Sequence, residues 1–529
     1  MRKWFLVLMM GVITIVGSKL SLAQLPLPEP VDEAALDAAA ERAAESEGLG
    51  QWQYAGQCQC NGQCQCNGQG QMAAPNPFAK MQAGQLFQLD YSYLEAPGAE
   101  RTEYYEMLKR LAITDDLRVD IGGQFRYQFK NMNTRSHFLG VPTVPRTDTF
   151  GLTQLRLYTN FLYQDWLRVY GSFIDANSHD EDLPPLGIDE NRNDLHLLFA
   201  DIKLFDDCCG RETWLRAGRF ELLYGAQRLM TPFPWANTRK RWEGAKLYGR
   251  GPVWDWEMFW GRKVLTRGDT VRKWDTADQS KWYGILWADY KGLEDSTISP
   301  FLFITREEDR IPGPPVGRTH RIGSGRADTV WYTPGVRING GRDNWLWDVE
   351  GALQLGPSGS KNIVAGMFTA GLGRKVPDVK WTPTVWLWYD YASGDDDPGG
   401  DINTFNQLEP LAHKYFGWTD LVGRQNIHDL NFQLILKPHE KVTLIGWAHF
   451  LWLAESRDGL YNPAGFVSHS GGSDTEVGQA LDLMVRYNIR PGLTYEAGYS
   501  HFWPGNFIKQ SGGLPDSSYF VYNQVVVNF

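Results

Sequence analysis

The stretch LRVDIGGQFRYQFK, residues 117 to 130, decides the fold of this chain because its residue types alternate with a period of two. Apolar residues take one set of positions: Leu117, Val119, Ile121, Phe125, Tyr127 and Phe129. Polar residues take the other set: Arg118, Asp120, Gln124, Arg126, Gln128 and Lys130. A period of two with one wholly apolar face predicts a β-strand whose faces meet different surroundings.

The same alternation recurs to the end of the chain. It predicts further strands over 152–163, 166–176, 282–290, 297–306, 330–339, 345–355 and 442–454. The pair Gln164-Asp165 is read as a tight turn, whereas 177–193, 306–328 and 393–401 are acidic or glycine-rich and much longer. Short turns that alternate with long loops are typical of outer-membrane barrels. The region that follows residue 116 has room for about 16 to 18 antiparallel transmembrane strands, enough to enclose a lumen.

Composition agrees with an all-β membrane barrel. The chain has 55 Gly, 22 Trp, 23 Tyr and 26 Phe, with a mean hydropathy of only −0.39. Beyond the N-terminus no apolar run approaches the roughly 20 residues of a helical span. In a membrane barrel, lipid-facing apolar residues alternate with lumen-facing polar ones, which gives a mean hydropathy near that of a soluble protein. Aromatic girdles at the two membrane interfaces account for the many Trp, Tyr and Phe residues. On composition alone, a secreted β-sandwich or propeller that binds sugar through exposed Trp and Tyr remains open.

The N-terminal region divides into an export signal and an extension. Arg2 and Lys3 precede an apolar run, and small residues flank a cleavage site after Ala23, so residues 1–23 are predicted to be a signal peptide. Residues 24–113 form a periplasmic extension in this reading, partly disordered, with short helices at 31–47 and 99–112. The barrel domain is assigned to 114–529, in the outer membrane of a Gram-negative-type cell.

Two clusters have the composition of metal sites. The tandem repeat QCQCNG at 57–68 contains Cys58, Cys60, Cys64 and Cys66, which suit a soft metal ion or, alternatively, disulfides in an oxidising compartment. Asp395, Asp396 and Asp397 are candidates for Ca²⁺ in an extracellular loop, with a solvated loop as the alternative; no other cofactor is expected. The chain has no nucleophile elbow, HExxH or phosphate loop, so we predict that it is not an enzyme, with a surface glycoside hydrolase as the competing class.

Positive charge is concentrated in WLRAGRFELLYGAQRLMTPFPWANTRKRWEGAKLYGR, residues 214–250. From 211 to 273 there are 14 Lys/Arg against 6 Asp/Glu, in a chain of net charge −10. A bulge at Gly218 is predicted to turn Arg216 and Arg219 inward together, and Arg239, Arg241 and Glu243 are predicted to share one strand face. The predicted pore-lining set is Arg216, Arg219, Tyr224, Arg228, Arg239, Arg241 and Glu243, with Arg118, Arg126, Arg156 and Arg168 from the first strands. The alternative is that these charges pair with loop acids and stabilise the wall.

The chain closes on a strand whose alternate residues Tyr519, Val521, Val525, Val527 and Phe529 are apolar. This ending resembles the signal by which the barrel-assembly machinery recognises outer-membrane proteins. That machinery and outer-membrane lipid are therefore the expected partners.

Four motifs resemble the alginate-export family of outer-membrane porins. They are LRAGRFELLYGAQRL with PWANTRKRWEGAKL, the long stretch at 392–431, WDVEGALQLG at 347–356, and GYSHFWPGNF at 498–507. The resemblance covers 117–529 and implies a monomeric barrel of about 18 strands whose basic lumen conducts a polyuronate. It assigns pore-lining roles to Arg216, Arg219, Arg228, Arg239 and Arg241, with Glu243 where the family usually has Asp. We expect an anionic oligo- or polysaccharide as solute, with a passive porin for small anions as the alternative, and no nucleic-acid partner.

Overall fold

The computed structural model describes residues 76–78, 81–134, 147–207, 209–267, 274–308, 328–397, 399–512 and 517–529. The predicted signal peptide, the helix at 31–47 and the cysteine repeat at 57–68 lie outside the described residues. Among those described, no helix is both long and apolar enough to cross a membrane.

Eighteen long antiparallel strands form the wall. They are β1 (Leu117–Met132), β2 (Asp148–Tyr163), β3 (Leu167–His179), β4 (Asn191–Asp206), β5 (Glu212–Phe220), β6 (Trp242–Arg250), β7 (Trp254–Leu265), β8 (Lys281–Tyr290), β9 (Ser296–Glu307), β10 (Thr329–Arg342), β11 (Trp345–Ser358), β12 (Lys361–Lys375), β13 (Thr384–Ala392), β14 (Ile427–His439), β15 (Val442–Trp452), β16 (Glu476–Arg490), β17 (Leu493–Pro504) and β18 (Ser518–Asn528). Each pairs with its neighbour in sequence, and β1 pairs with β18 from Gln124–Asn528 to Met132–Phe520. The sheet is therefore closed into a barrel, which confirms the predicted fold.

The alternation in β1 confirms which face points outward. Phe125 and Tyr127 are 40% and 39% exposed, whereas Gln124, Arg126 and Gln128 are at most 6% exposed. Outward apolar residues match a lipid environment, and inward polar residues fill the lumen. Four exposed tryptophans, Trp166, Trp254, Trp345 and Trp381, lie at the end of the barrel that carries the short turns, where an interfacial girdle is expected.

The connections differ at the two ends, as predicted. The Gln164-Asp165 turn joins β2 to β3, and Gln164 adopts a φ of 50° there. At the opposite end, two long connections fold into the barrel interior. We call residues 221–241, between β5 and β6, the first lumenal loop, and residues 393–426, between β13 and β14, the second lumenal loop.

The N-terminal extension enters the lumen as well. Residues 81–95, here called the lumenal plug, contain two short 3₁₀ helices, Leu86–Gln88 and Ser92–Glu95. The Phe87 ring packs edge-on against Tyr170 and Phe199, which are buried on β3 and β4. These contacts place the plug against the inner wall of the barrel.

The chain then joins the wall itself. Residues 99–112, predicted to be helical, instead form turns and a two-residue strand, Leu111–Ala112, which pairs with β1. The Ile121 amide donates to the Leu108 carbonyl at 2.8 Å, and the Gly123 amide donates to the Phe529 carbonyl at 2.8 Å. Along β1, the extension therefore pairs with the residues that lie beyond the end of β18. This pairing with β1 outweighs the weak helical propensity of the segment.

The remaining elements are short. Thr276–Ala277 pairs with the end of β7, and Leu460–Tyr461 pairs with Val467–His469. The second lumenal loop contains a 3₁₀ turn, Ala412–Lys414, and a helix, Asn506–Gln510, follows β17.

Candidate functional site

The first lumenal loop folds inward because its sequence cannot continue a strand. Pro232 and Pro234 lack the amide donor that a strand needs, and Gln227 and Arg239 adopt positive φ angles of 62° and 57°. Gly225 has a φ of 51°, and a Cβ there would lie 2.8 Å from Trp287 on the wall. The loop is therefore seated tightly against the inner surface of β8.

The two lumenal loops bind each other through their backbones. The Thr231 amide donates to the Glu409 carbonyl at 3.0 Å, and the Glu409 amide donates to the Leu229 carbonyl at 2.9 Å. The Leu411 amide donates to the Gln227 carbonyl at 2.9 Å. The loops consequently act as one body inside the barrel.

Arg216 lies on the inner face and is paired. Its Nε and Nη2 donate to both carboxylate oxygens of Asp201, at 2.7 and 2.9 Å, and its guanidinium lies 4.1 Å from the centroid of the Phe199 ring. This bidentate pair fixes the planar guanidinium against β4.

Arg219 lies on the opposite face. The β4–β5 register is continuous across Gly218, so the predicted bulge is wrong, and Arg219 stands opposite Leu198, which is 49% exposed. A Cβ at Gly218 would lie 2.2 Å from the Leu198 carbonyl oxygen, so the glycine is needed for close strand approach. Arg219 binds Glu243 at 2.5 Å near the long-loop end of the wall.

Arg228 connects the first lumenal loop to the wall. It donates to Asp348 at 3.0 Å and to Glu350 at 2.7 Å, both on the inner face of β11. Arg337 on β10 binds Asp348 as well, at 2.9 Å. Tyr224, on the same loop, is buried against Trp287 and Phe303.

Arg239, Arg241 and Glu243 do not share a strand face, which corrects the prediction. Strand β6 begins only at Trp242, and the positive φ of Arg239 breaks the alternation before it. Arg239 forms a bidentate pair with Glu221 at 2.6 and 2.9 Å, while Arg241 binds Asp194 and Asp275. Burial raises the pKa of the Glu221 carboxyl, but Arg239 and His196 lower it more, so this pKa lies well below its usual range.

Three of the four predicted arginines on the first three strands donate hydrogen bonds to backbone carbonyls of the segments inside the barrel. Arg126 donates to the Pro234 and Ala236 carbonyls of the first lumenal loop, at 2.6 and 2.8 Å. Arg156 donates to the Gly84 carbonyl of the plug at 2.8 Å, and Arg168 donates to the Phe87 carbonyl at 2.6 Å. Arg118 lies at the short-turn end, partly exposed, and donates to the Thr114 carbonyl.

A cavity of about 360 Å³ remains between the plug and the wall. We call it the lumenal chamber. Seven basic side chains line it, Arg110, Arg168, Arg216, Lys246, Arg250, Lys291 and Arg337, together with five acidic ones, Asp90, Glu221, Asp255, Glu257 and Asp289. Phe87, Tyr224, Tyr248 and Trp287 add aromatic surface.

Sequence reasoning missed the acids that hold these arginines. Asp201, Asp348 and Glu350 occupy inward positions of predicted or neighbouring strands, so the alternation of β11 already contained the signal for Asp348 and Glu350. What the sequence lacked was the register that pairs each acid with its arginine.

The predicted calcium ligands lie apart from this site. Asp395 and Asp397 accept backbone hydrogen bonds within their own loop, from Asp397 and Gly399 at 3.1 and 3.2 Å. In the part of the chain that the structure describes, no three His, Cys, Asp or Glu side chains are grouped to hold a metal ion.

Comparison with known proteins gives one family and several similar folds. The family model for alginate export matches residues 117–521. Acinetobacter baumannii OccAB2 superposes with a TM-score of 0.52 at 10% identity, covering 78% of this chain and 98% of that one. Pseudomonas aeruginosa OccD3 (OpdP) gives 0.48 at 11% over 77% and 91%, and OccK2 (OpdF), solved in complex with glucuronate, gives 0.49 at 10% over 78% and 97%. No curated protein sequence matches significantly.

A closed barrel with an apolar outer belt and a polar lumen defines a porin-type channel of the outer membrane. The match over 117–521 shows that this chain belongs to the alginate-export family.

Proposed function

We propose that this channel is anion-selective and passes a carboxylated saccharide of the polyuronate class. The observation that carries the proposal is the lumenal chamber, where basic side chains outnumber acidic ones beside Tyr248 and Trp287. Guanidinium groups recognise carboxylates in a planar, bidentate way, and aromatic faces stack on sugar rings. The family's association with alginate, itself a polyuronate, supports the same solute class.

Electrostatics supports anion selectivity over a neutral pore. A chamber with excess positive charge and low-dielectric walls concentrates anions and repels cations. Its volume falls within the roughly 300–1,000 Å³ of typical small-ligand sites. A passive channel for small anions has the same selectivity, so the two candidates differ in whether a polyuronate blocks the current.

The test is a planar-bilayer recording with the purified, refolded protein. The reversal potential under a KCl gradient measures anion preference, and polygalacturonate is compared with maltohexaose as a neutral saccharide. Block by polygalacturonate alone supports the polyuronate channel. Anion preference without block favours the small-anion channel, and cation preference contradicts both.

Arg216→Gln removes one positive charge from the lining of the lumenal chamber and tests its contribution to anion selectivity. A unit charge about 10 Å from a permeating ion contributes roughly 1.7 kcal/mol at an effective dielectric constant of about 20. Anion preference should therefore fall by up to about 16-fold at low ionic strength. Arg374→Gln, an exposed arginine near the short-turn end of β12 and outside the chamber lining, is the control and should leave selectivity unchanged.

A further inference from the structure

Two buried arginines on adjacent strands bind only neutral acceptors. Arg126 is 6% exposed and donates to the Pro234 and Ala236 carbonyls and the Asn237 side-chain oxygen. Arg156 is 2% exposed and donates to the Gly84 carbonyl and to the Gln124 side-chain oxygen at 2.6 Å. Within the described residues, all hydrogen bonds that the two guanidinium groups donate go to carbonyl or amide oxygens, and neither group forms an ion pair.

This pattern sets them apart from the other arginines of the lumen. Arg216, Arg228, Arg239 and Arg241 each contact at least one carboxylate. A buried charge without a counter-charge is strongly unfavourable, and carbonyl dipoles offset only part of that cost. The wall at Arg126 and Arg156 is thus better suited to an anion than to the neutral groups it holds.

The lumenal plug supplies the backbone acceptor of Arg156, whereas the acceptors of Arg126 belong to the first lumenal loop. The carbonyl oxygens of Ala83, Gly84 and Phe87 accept from Arg239, Arg156 and Arg168, at 2.8, 2.8 and 2.6 Å. These three contacts present backbone oxygens of the plug to three guanidinium groups of the lumen. A carboxylated chain would present the same oxygens, with charge added.

We propose that Arg156, with Arg239 beside it, forms a carboxylate-binding station for the solute, and that the lumenal plug is a built-in competitor occupying it. This inference rests on the proposed function and adds its regulation: a polyuronate gains access by displacing residues 83–87. A carboxylate at Arg156 replaces a neutral acceptor by a charged one, and charge-assisted hydrogen bonds are about twice as strong.

The wall keeps the plug close after displacement. Leu111 and Ala112 pair with Val119 and Arg118 of β1, so the segment that follows the plug is part of the barrel. A tethered competitor acts at a high effective concentration and rebinds once the solute has passed.

Gly84 allows the plug to be weakened without touching the wall. Its φ is +62°, and an added Cβ would lie 3.3 Å from Arg156 and 3.5 Å from Arg239. Alanine in this backbone conformation should shift the plug equilibrium toward release about 5- to 30-fold. Gly98 is the matched control, since its φ is +80° and an added Cβ there meets nothing within 4 Å.

The experiment records conductance and polygalacturonate block for the full chain and for Gly84→Ala, Gly98→Ala and Gly84→Ala/Arg156→Gln. We expect Gly84→Ala to raise conductance and to lower the half-blocking concentration at least fivefold, with Gly98→Ala like the parent. Adding Arg156→Gln should keep the higher conductance and reverse the gain in block.

The outcomes separate the two proposals. Unchanged conductance in Gly84→Ala, in a channel that remains anion-selective, overturns the plug and leaves the proposed function standing. Higher conductance without any anion preference supports the plug but overturns the proposed function and its station. A gain in block that survives Arg156→Gln overturns the assignment of that arginine.

Discussion

Replacing Glu409 by glutamine is expected to unseat the second lumenal loop. Glu409 is 3% exposed, and its Oε2 accepts from Lys240 at 3.0 Å and from Lys263 at 2.7 Å. Its Oε1 accepts from the Tyr283 hydroxyl at 2.8 Å. One carboxylate therefore links the second loop to the first loop through Lys240 and to the wall through Lys263 and Tyr283.

The size of the effect follows from burial. Breaking a buried ion pair from one side costs about 3–5 kcal/mol. The lysines retain 19% and 24% exposure, so water reaches them and the expected loss falls to about 2–3 kcal/mol. The ratio of seated to unseated loop should drop by a factor of about 30 to 150.

The pH dependence has a definite sign. Burial raises the pKa of Glu409, but Lys263, Lys240 and Lys281 lower it more, so this pKa lies well below its usual range. The stabilisation is fully present above the unfolded value of about 4.3 and is lost only as the pH falls through the lower folded value. As far as Glu409 is concerned, the parent channel should keep a constant conductance from pH 8 to about pH 5.

Single-channel recording at pH 7 measures the frequency of high-conductance events, which should rise in Glu409→Gln. Glu440→Gln, an exposed glutamate in the turn between β14 and β15, is the control. A Glu409→Gln channel with the parent's event frequency and conductance, in a correctly folded barrel, would refute the reasoning.

Two further predictions concern the wall. Asp348→Asn removes the carboxylate shared by Arg228 and Arg337 and should cost about 3 kcal/mol, measured as a lower midpoint of thermal unfolding in detergent. An unchanged midpoint would show that Glu350 alone suffices for Arg228. Deleting Phe529 removes two backbone hydrogen bonds to Gly123, together about 1–3 kcal/mol, and should reduce the folded protein recovered from outer membranes if the assembly machinery reads this ending. Normal recovery would contradict that role.

The barrel was predictable from sequence, whereas its contents were not. Alternation in β1 fixed which side chains face lipid, because a strand between lipid and a polar lumen must repeat every two residues. That same rule failed at Arg239 and Arg241, which lie in an inserted loop where Pro232, Pro234 and positive φ angles interrupt the period. Local periodicity contains no information about a segment that packs inside a barrel instead of forming its wall.

Charge along the sequence is likewise a poor measure of charge in the lumen. The basic excess around residues 214–250 predicted an electropositive constriction, but Arg216 is paired with Asp201, 15 positions away in sequence and on the neighbouring strand. Arg156 belongs to a stretch with no basic excess, yet no carboxylate pairs with it in the described structure.

The distinction can be measured. Neutralising both members of a pair, as in Arg216→Gln/Asp201→Asn, leaves the net charge of the lumen unchanged. The double variant should therefore have the reversal potential of the parent, which Arg216→Gln alone shifts. Arg156→Gln has no paired acid whose neutralisation would compensate it. The shift in reversal potential caused by Arg156→Gln should therefore persist when Asp201→Asn is added. The effect of Asp201→Asn alone is measured separately and subtracted. If Arg216→Gln/Asp201→Asn instead remained as shifted as Arg216→Gln, the arginine would act on permeating anions directly, and its ion pair would have to open during transport.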